Sequence, residues 1–264
     1  MTQLLVESAD GTAISCESYG EGRALLIVSG ALFAAKLWTN VVQQLSTDRC
    51  VYVLDRRGRG KSADNPAYAP EREVEDVLAV LRAIPGPIDL LGHSSGAILS
   101  LQVAALQPDK LERLVVYEPP VFFAAADRIA EDLPERLEAL LAKRERGAAV
   151  ETFFREGPKT SESELRARQS GPAWAEMVSA LAHTVPYDSR IQRSFSGAAA
   201  ELARVRIPTL MLLGGASPQR MRSGAETITA RLPNARLVEL DGQQHTAMLL
   251  APAAFAAAVN AFLS

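Results

Sequence analysis

The segment that most constrains the fold is Gly92-His93-Ser94-Ser95-Gly96, which has the pattern G-x-S-x-G. An apolar, strand-like run precedes it at 87–91, and a helix-like run follows it at 97–107. A serine on so tight a strand-to-helix turn is held at strained backbone angles, and the flanking glycines leave room for the neighbouring chain. The hydroxyl of Ser94 is therefore predicted to project into a cleft, at the N-terminal end of the following helix.

Short β-branched runs alternate with helical patterns, which is typical of an α/β protein with a mainly parallel sheet and helices on both faces. The Asp10-Gly11 pair is a hairpin signal, so the first two strands are expected to be antiparallel. The sequence predicts eight strands, at 3–8, 12–19, 24–29, 49–55, 87–92, 111–118, 208–214 and 235–240. It predicts helices between them at 34–46, 70–84, 95–107, 218–232 and 251–263.

The pattern changes between the sixth and seventh predicted strands, where no convincing strand is found. Helical patterns occupy this stretch, at 133–146, 148–155, 161–168, 172–183 and 189–203. We predict an all-helical cap over residues 121–204, inserted after the sixth strand and lying over the Ser94 cleft. Residues 1–120 and 205–264 are then expected to form the core, because a chain of 264 residues is long enough for one large core with a modest insertion.

The bulk composition excludes several kinds of partner. The net charge is −3, which gives no reason to expect nucleic acid or an anionic membrane. No apolar stretch reaches the 18 or so residues that span a bilayer, and the first residues lack a secretory pattern, so a cytoplasmic location is expected. Cys16 and Cys50 are predicted to be buried, reduced thiols, and with only three histidines in the chain no metal site is expected.

Three further motifs accompany the serine turn in a fixed order. Ser29-Gly30 ends a predicted strand eight residues before Trp38, Asp55 to Ser62 reads D-R-R-G-R-G-K-S, and Gly242-Gln243-Gln244-His245 follows the last predicted strand. Together the four motifs resemble those of the α/β-hydrolase superfamily over the whole chain: its oxyanion loop, its D-x-R-G-x-G-x-S turn, its nucleophile elbow and its histidine loop. Ser29 replaces the usual histidine of the oxyanion loop, so we expect that loop to be packed differently.

The resemblance implies a serine nucleophile, and a serine hydroxyl needs a base to remove its proton. His245 is the best candidate for that base, because its loop follows an apolar strand and can reach the elbow. His93 is adjacent to Ser94, but strand geometry predicts that its side chain points away. His183 lies in the predicted cap, where it either contacts the substrate or satisfies a helix surface.

The acid that orients the histidine needs a separate argument. The superfamily usually places an aspartate just after the seventh strand, and this chain continues there with Ala216-Ser217-Pro218. Glu118, at the end of the sixth strand, lies on the same predicted sheet edge as Ser94, and its longer side chain helps it reach the histidine. This placement resembles that in zearalenone lactonases of the same superfamily. Asp241 is the rival acid, although its position favours a role in the turn.

The expected chemistry is hydrolysis of a carboxylic ester or lactone through an acyl-enzyme, with no cofactor. Backbone N–H groups of Ser95 and Ala31 are the candidate donors to the oxyanion. The substrate is expected to be an uncharged, mostly apolar small molecule lying between core and cap. No arginine cluster marks a carboxylate or phosphate site, although arginines of the cap are able to supply one. The candidate binding residues are Gly30, Leu32, Phe33, Phe122, Phe123, Trp174, Met177, Leu181, His183 and Tyr187.

Other activities of the superfamily stay open. Haloalkane dehalogenases and epoxide hydrolases use an aspartate at the elbow, so Ser94 argues against both. Cofactor-free haloperoxidases and carbon–carbon bond hydrolases share the serine triad and are not excluded. A second hypothesis is a non-hydrolytic ligand-binding protein or lyase on the same fold, with a triad that decayed when the aspartate was lost. Whether the chain forms a homodimer is also open.

Overall fold

A computed structural model describes residues 2–106 and 109–264, and a single eight-stranded sheet runs through it. Each strand begins and ends within one residue of its predicted position, so the predicted strands are confirmed. The predicted end of the third helix at Gln107 lies outside the described residues. The strands are β1 (Thr2–Glu7), β2 (Ala13–Tyr19), β3 (Arg23–Val28), β4 (Arg49–Asp55), β5 (Ile88–His93), β6 (Leu111–Tyr117), β7 (Thr209–Gly214) and β8 (Ala235–Leu240).

The sheet has the order β1-β2-β4-β3-β5-β6-β7-β8. Strands β1 and β2 pair antiparallel, as the Asp10-Gly11 signal predicts, and β2 also pairs antiparallel with β4. The other pairs are parallel. The carboxyl ends of β3, β5, β6, β7 and β8 therefore meet at one edge, where open α/β sheets commonly bind ligands.

Helices cover both faces of the sheet because the central strands are apolar on both sides. In β3, Leu26 and Val28 face one cluster of buried side chains, and Leu25 and Ile27 face the other. Side chains of α2 (Pro70–Ala83), α3 (Ser95–Ala105) and α10 (Gln219–Arg231) fill the first cluster. Side chains of α1 (Thr39–Leu45), α11 (Ala247–Leu250) and α12 (Pro252–Leu263) fill the second.

The stretch between β6 and β7 is helical throughout its ordered elements, and its described residues form no strand. Its helices are α4 (Leu133–Ala142), α5 (Arg146–Glu156), α6 (Glu162–Gln169), α7 (Trp174–Glu176), α8 (Val185–Ser194) and α9 (Ala199–Leu202). Single turns of other helix types occur at Met177–Leu181 (π) and Ala182–Thr184 (3-10). The helices share an apolar cluster of their own, which Leu32 joins from the loop after β3.

Two of the helices predicted in this stretch are divided in the structure. The predicted helix 133–146 ends at Ala142, because Arg144 has a φ of 63° and reverses the chain before α5. The predicted helix 189–203 instead begins at Val185 and ends at Ser194. Phe195 is extended, and Gly197 has a φ of 61°, a value that glycine adopts readily, so only a short α9 follows.

Over the described ranges 2–106 and 109–264, no helix combines the length and the apolar character that crossing a bilayer requires.

Candidate active site

The turn at Ser94 has the strained geometry that its sequence predicts. Strand β5 ends at His93, α3 begins at Ser95, and Ser94 between them has φ 56° and ψ −125°. A Cβ atom at Gly96 would overlap the carbonyl oxygen of Val28, so only glycine allows α3 to pack this closely against β3. The turn therefore places the Ser94 side chain in a cleft at the carboxyl edge of the sheet.

Two more non-glycine residues with positive φ line the same cleft. Leu32, after β3, has a φ of 58°, and Glu118, after β6, has a φ of 48°. Such a backbone conformation costs about 1 to 3 kcal/mol and persists only where the surrounding structure imposes it. Three strained residues thus follow three strands of the sheet, and such strain is common where side chains are aimed at a ligand.

Glu118 and His245 are joined directly. The Nδ1 atom of His245 lies 2.7 Å from Oε2 of Glu118, whose side chain is buried. The other oxygen, Oε1, accepts a hydrogen bond of 2.8 Å from the backbone N–H of Gly214 and another from the hydroxyl of Ser217. Ser217 belongs to the segment after β7 in which the superfamily usually has its aspartate, and here its hydroxyl donates a hydrogen bond to the glutamate. Sequence reasoning did not foresee this contact.

The charge of Glu118 follows from these partners. Burial raises the pKa of the Glu118 carboxyl, but the hydrogen bond and charge of His245 and the hydrogen bonds from Ser217 and Gly214 outweigh burial. The pKa therefore lies below its ordinary value, and the group is a carboxylate at neutral pH. A carboxylate can only accept, so Nδ1 of His245 carries a proton and donates it, which leaves Nε2 free as the basic nitrogen.

The backbone of the His245 loop is held by side chains from β5 and β6. Nε2–H of His93 donates a hydrogen bond of 3.0 Å to the backbone carbonyl oxygen of His245. The hydroxyl of Tyr117 donates a hydrogen bond to the backbone carbonyl oxygen of Gln244. Burial, and then the charge of His245, lowers the pKa of His93 well below its ordinary value, so its ring is neutral. The ring of His93 is buried, with its centre 4.7 Å from that of the His245 ring, so it supports the His245 loop, and that it takes no direct part in catalysis stays a prediction.

The oxyanion loop is packed around the serine that replaces the usual histidine. The indole N–H of Trp38 donates a hydrogen bond of 2.8 Å to Oγ of Ser29. A Cβ atom at Gly30 would lie 2.7 Å from Cβ of Ser94, so the loop backbone passes directly against the serine. Ala31 and Ser95, the two expected oxyanion donors, both line the cleft.

A buried ion network joins α8 to the core beside Ser94. Oδ1 of Asp188 accepts hydrogen bonds from Ser95 Oγ at 2.7 Å and from Arg56 Nη1 at 2.9 Å, and Oδ2 accepts one from Arg59 at 2.7 Å. Arg56 also makes a two-point contact with Glu73. Buried charges need such partners. The only sequence signal was the arginine-rich turn after β4, whose role was not recognised.

The cleft encloses about 1100 Å³ of space, including its open mouth. Several candidate binding residues line it as expected: Leu32, Phe33, Phe122 and Met177. Other residues along it were not predicted: Phe153, Phe154, Arg168, Arg220, Met221 and Gln192. Arg168 belongs to the stretch between β6 and β7, whose arginines the sequence analysis left open as a source of a carboxylate or phosphate site.

The remaining candidate binding residues lie elsewhere in the structure. Trp174 and Leu181 pack into the apolar cluster of the inserted helices, because the apolar side of their segment faces α5. His183 and Tyr187 border a second depression. There the ring of Tyr187 stacks on that of Tyr68, with ring centres 3.8 Å apart, and the hydroxyl of Tyr187 donates a hydrogen bond to the carboxylate of Asp64. Phe123 packs against the sheet cluster. The spacing of apolar residues in the sequence did not distinguish the side of each helix that faces the cleft from the side that packs against other elements.

Within the part of the chain that the structure describes, no group of three or more His, Cys, Asp or Glu side chains could hold a metal ion. Cys16 is buried and Cys50 is only partly buried, and both are free thiols. The cleft brings together the hydroxyl of Ser94, the imidazole of His245 and the carboxylate of Glu118.

Fold and site together define a class: an α/β protein with a serine on a sharp strand-to-helix turn and a histidine–carboxylate pair at the same sheet edge. The sequence model of the alpha/beta hydrolase family matches residues 25–258. The chain belongs to that family.

Similar proteins carry hydrolase names. An alpha/beta hydrolase from Sphaerobacter thermophilus has a solved structure with a TM-score of 0.92 and 39% identity, covering 99% of this chain and 100% of that one. The (E)-2-((N-methylformamido)methylene)succinate hydrolase of Acinetobacter baylyi is 24% identical over 92% of this chain and 91% of its own length. A pimeloyl-[acyl-carrier protein] methyl ester esterase of Aeromonas salmonicida is 24% identical over 95% of this chain and 99% of its own length. Hydrolase activity is thereby supported for this chain.

Proposed function

We propose that this protein is a serine hydrolase that cleaves a carboxylic ester or lactone, with Ser94 as nucleophile, His245 as base and Glu118 as the acid that orients the base. The observation that carries the proposal is the 2.7 Å contact between His245 Nδ1 and Glu118 Oε2 in the cleft that Ser94 lines. It supplies the carboxylate that is missing after β7, so the main argument for a decayed, non-hydrolytic site loses its basis.

The reaction follows from the state of these groups. Nε2 of His245 takes the Ser94 proton while Oγ attacks the carbonyl carbon, and Glu118 stabilises the imidazolium that forms. The N–H groups of Ser95 and Ala31 bind the oxyanion. His245 then protonates the leaving alcohol, the C–O bond breaks, and an acyl-enzyme remains. A water molecule, deprotonated by His245, attacks the acyl carbon and releases the acid and Ser94.

Residues 121–204 are proposed to act as a cap over a core of residues 1–120 and 205–264. Phe122 and Met177 are among the residues of this stretch that line the cleft, and Leu32 and Phe33 of the loop after β3 line it as well. Apolar side chains from both parts thus surround the space next to Ser94, which suits an acyl chain. The methyl ester esterase among the similar proteins supports ester cleavage.

The test is hydrolysis of p-nitrophenyl butyrate and opening of a simple lactone by the purified protein, together with labelling by a fluorophosphonate probe. Ser94→Ala is expected to abolish turnover and labelling. Ser223→Ala, at an exposed position on α10, is the matched control and should behave as the wild type. Full turnover in Ser94→Ala, or a wild-type serine that no probe labels, would refute the proposal.

A further inference from the structure

Two guanidinium groups line the same cleft as Ser94. Arg168 comes from α6 in the inserted helices, and Arg220 comes from the first turn of α10, after β7. They reach the cleft from separate parts of the chain, one on each side of the boundary between inserted helices and sheet. Neither forms an ion pair with any carboxylate among the residues that the structure describes.

Arg220 is held in place by neutral acceptors. Its Nη2 donates to the carbonyl oxygens of Pro158 and Lys159, at 2.7 and 3.2 Å. Its Nε is buried without a hydrogen-bond partner in the described structure. An unpartnered buried donor is costly, and a charged one more so. The group is therefore fixed in position, and the contacts that fix it leave its positive charge without a carboxylate partner.

Arg168 is similarly left without a counter-charge in contact. Its guanidinium lies 5.0 Å from the ring centre of Phe154, and burial lowers the pKa of the group. Glu164 lies one turn earlier on α6, but its Oε2 accepts hydrogen bonds from the backbone N–H and hydroxyl of Ser161. Glu164 is exposed, and its charge attracts both Arg168 and Arg220 without contacting either.

The other carboxylates that line the cleft have hydrogen-bond partners in contact. Glu118 is paired with His245, and Asp188 is paired with Arg56 and Arg59. Arg168 and Arg220 are the cleft-lining guanidinium groups that have no carboxylate in contact among the described residues. A negatively charged group of a ligand would supply the contact that both guanidinium groups lack. The forked donors of arginine also match the two oxygens of a carboxylate.

We propose that Arg168 and Arg220 bind a carboxylate of the substrate, so that the preferred substrate is an ester or lactone with an apolar chain and a free carboxylate. This inference rests on the proposed function. It replaces the uncharged molecule expected from the sequence. Phe122, Phe153 and Met221 also line the cleft and supply apolar surface for the chain of such a molecule.

The experiment compares two esters of equal chain length, p-nitrophenyl hexanoate and mono-p-nitrophenyl adipate, which differ only in the terminal carboxylate. The wild type is expected to have a kcat/KM about ten- to a hundredfold higher for the adipate, mainly through KM. Arg168→Gln and Arg220→Gln should each lose most of this preference, because kcat/KM falls much further for the adipate than for the hexanoate. Arg166→Gln, exposed on the same helix, is the matched control and should keep the preference.

A second measurement separates this inference from the proposed function. Calorimetric titration of Ser94→Ala with monomethyl adipate and with methyl hexanoate reports binding without turnover. Tighter binding of the adipate, lost when Arg168→Gln is added, supports the carboxylate site even if no ester is cleaved. Arg220→Lys keeps the charge without the contacts of the fork and should retain part of the preference. Equal binding of both esters, or a preference that survives in the Arg168→Gln/Arg220→Gln double variant, overturns the inference.

Discussion

Asp188 of α8 accepts a hydrogen bond of 2.7 Å from the hydroxyl of Ser95, the residue that follows Ser94. The same carboxylate binds Arg56 and Arg59, so one buried side chain connects the inserted helices to the turn that carries the serine. The position of α8 and the position of the Ser94 turn are therefore coupled through a single charged group.

Replacing Asp188 by Asn is expected to destabilise the protein strongly. Arg56 keeps Glu73, but Arg59 loses its closest carboxylate and remains buried. Removing one partner of a buried ion pair typically costs about 3 to 5 kcal/mol. Urea unfolding at neutral pH measures the change, with Glu162→Gln as the control, because its ion pair with Arg155 is exposed. An unchanged unfolding midpoint in Asp188→Asn would show that the network contributes nothing.

The ionisation of Asp188 is expected to contribute to the pH dependence of the free energy of unfolding. Burial raises the pKa of its carboxyl, but the charges of Arg59 and Arg56 and the hydrogen bond from Ser95 outweigh burial and hold the pKa below its ordinary value. The stabilisation by the ionised group is therefore complete above the unfolded value of about 3.9 and is lost as the pH falls through the folded pKa. The free-energy difference between wild type and Asp188→Asn should be constant from pH 8 to 5 and shrink below pH 4. A difference that widens on acidification contradicts this assignment.

Glu118→Gln tests the charge behind His245. The amide is the same size as the carboxylate, but it cannot stabilise an imidazolium and favours the wrong tautomer. We expect kcat for an ester substrate to fall by about 10³ to 10⁴, with little change in KM. Ser217→Ala removes only one of the hydrogen bonds to Glu118 and should cost far less. A rise in KM at constant kcat would mean that Glu118 contacts the substrate rather than the histidine.

His93→Phe tests the support of the His245 loop. Phenylalanine keeps an aromatic ring between Phe33, Trp38 and Tyr117, but it cannot donate to the carbonyl oxygen of His245. We expect kcat to fall by about tenfold in a folded protein, because the imidazole is no longer held at one distance from Ser94. Circular dichroism checks the fold. Wild-type kcat in this variant would show that the hydrogen bond does not position the loop.

Gly30→Ala tests the close approach of the oxyanion loop to Ser94. The added methyl group would lie 2.7 Å from Cβ of Ser94 and 3.0 Å from Nδ1 of His93, so the loop must move outward. We expect a loss of kcat of about 100-fold, the effect of misplacing one oxyanion donor. Gly147→Ala on α5, where the methyl group meets no atom within 4 Å, is the matched control and should be neutral or slightly stabilising. Equal activities of the two variants would refute the expected crowding.

Structural features that depend on a few neighbouring residues were predicted well from the sequence, because local chemistry determines them. The alternation of apolar runs predicted every strand to within one residue, and the G-x-S-x-G motif predicted the strained backbone of Ser94, whose φ is 56°. The contact of Glu118 with His245 was expected from the sheet edge on which both residues lie. Within the inserted helices, the left-handed conformations at Arg144 and Gly197 divided two predicted helices, and helical periodicity carries no signal for such breaks.

The sequence by itself determined the order of strands and helices, the serine turn and the sheet edge at which the chemistry is proposed, since each depends on residues close together along the chain. Only the tertiary structure decided which distant charges meet. It paired Asp188 with Arg56, brought Arg168 and Arg220 to one cleft, and turned His93 toward the His245 loop. Electrostatic and hydrogen-bond partners act over a few ångströms in space, and their separation along the chain leaves no periodic pattern from which they can be predicted.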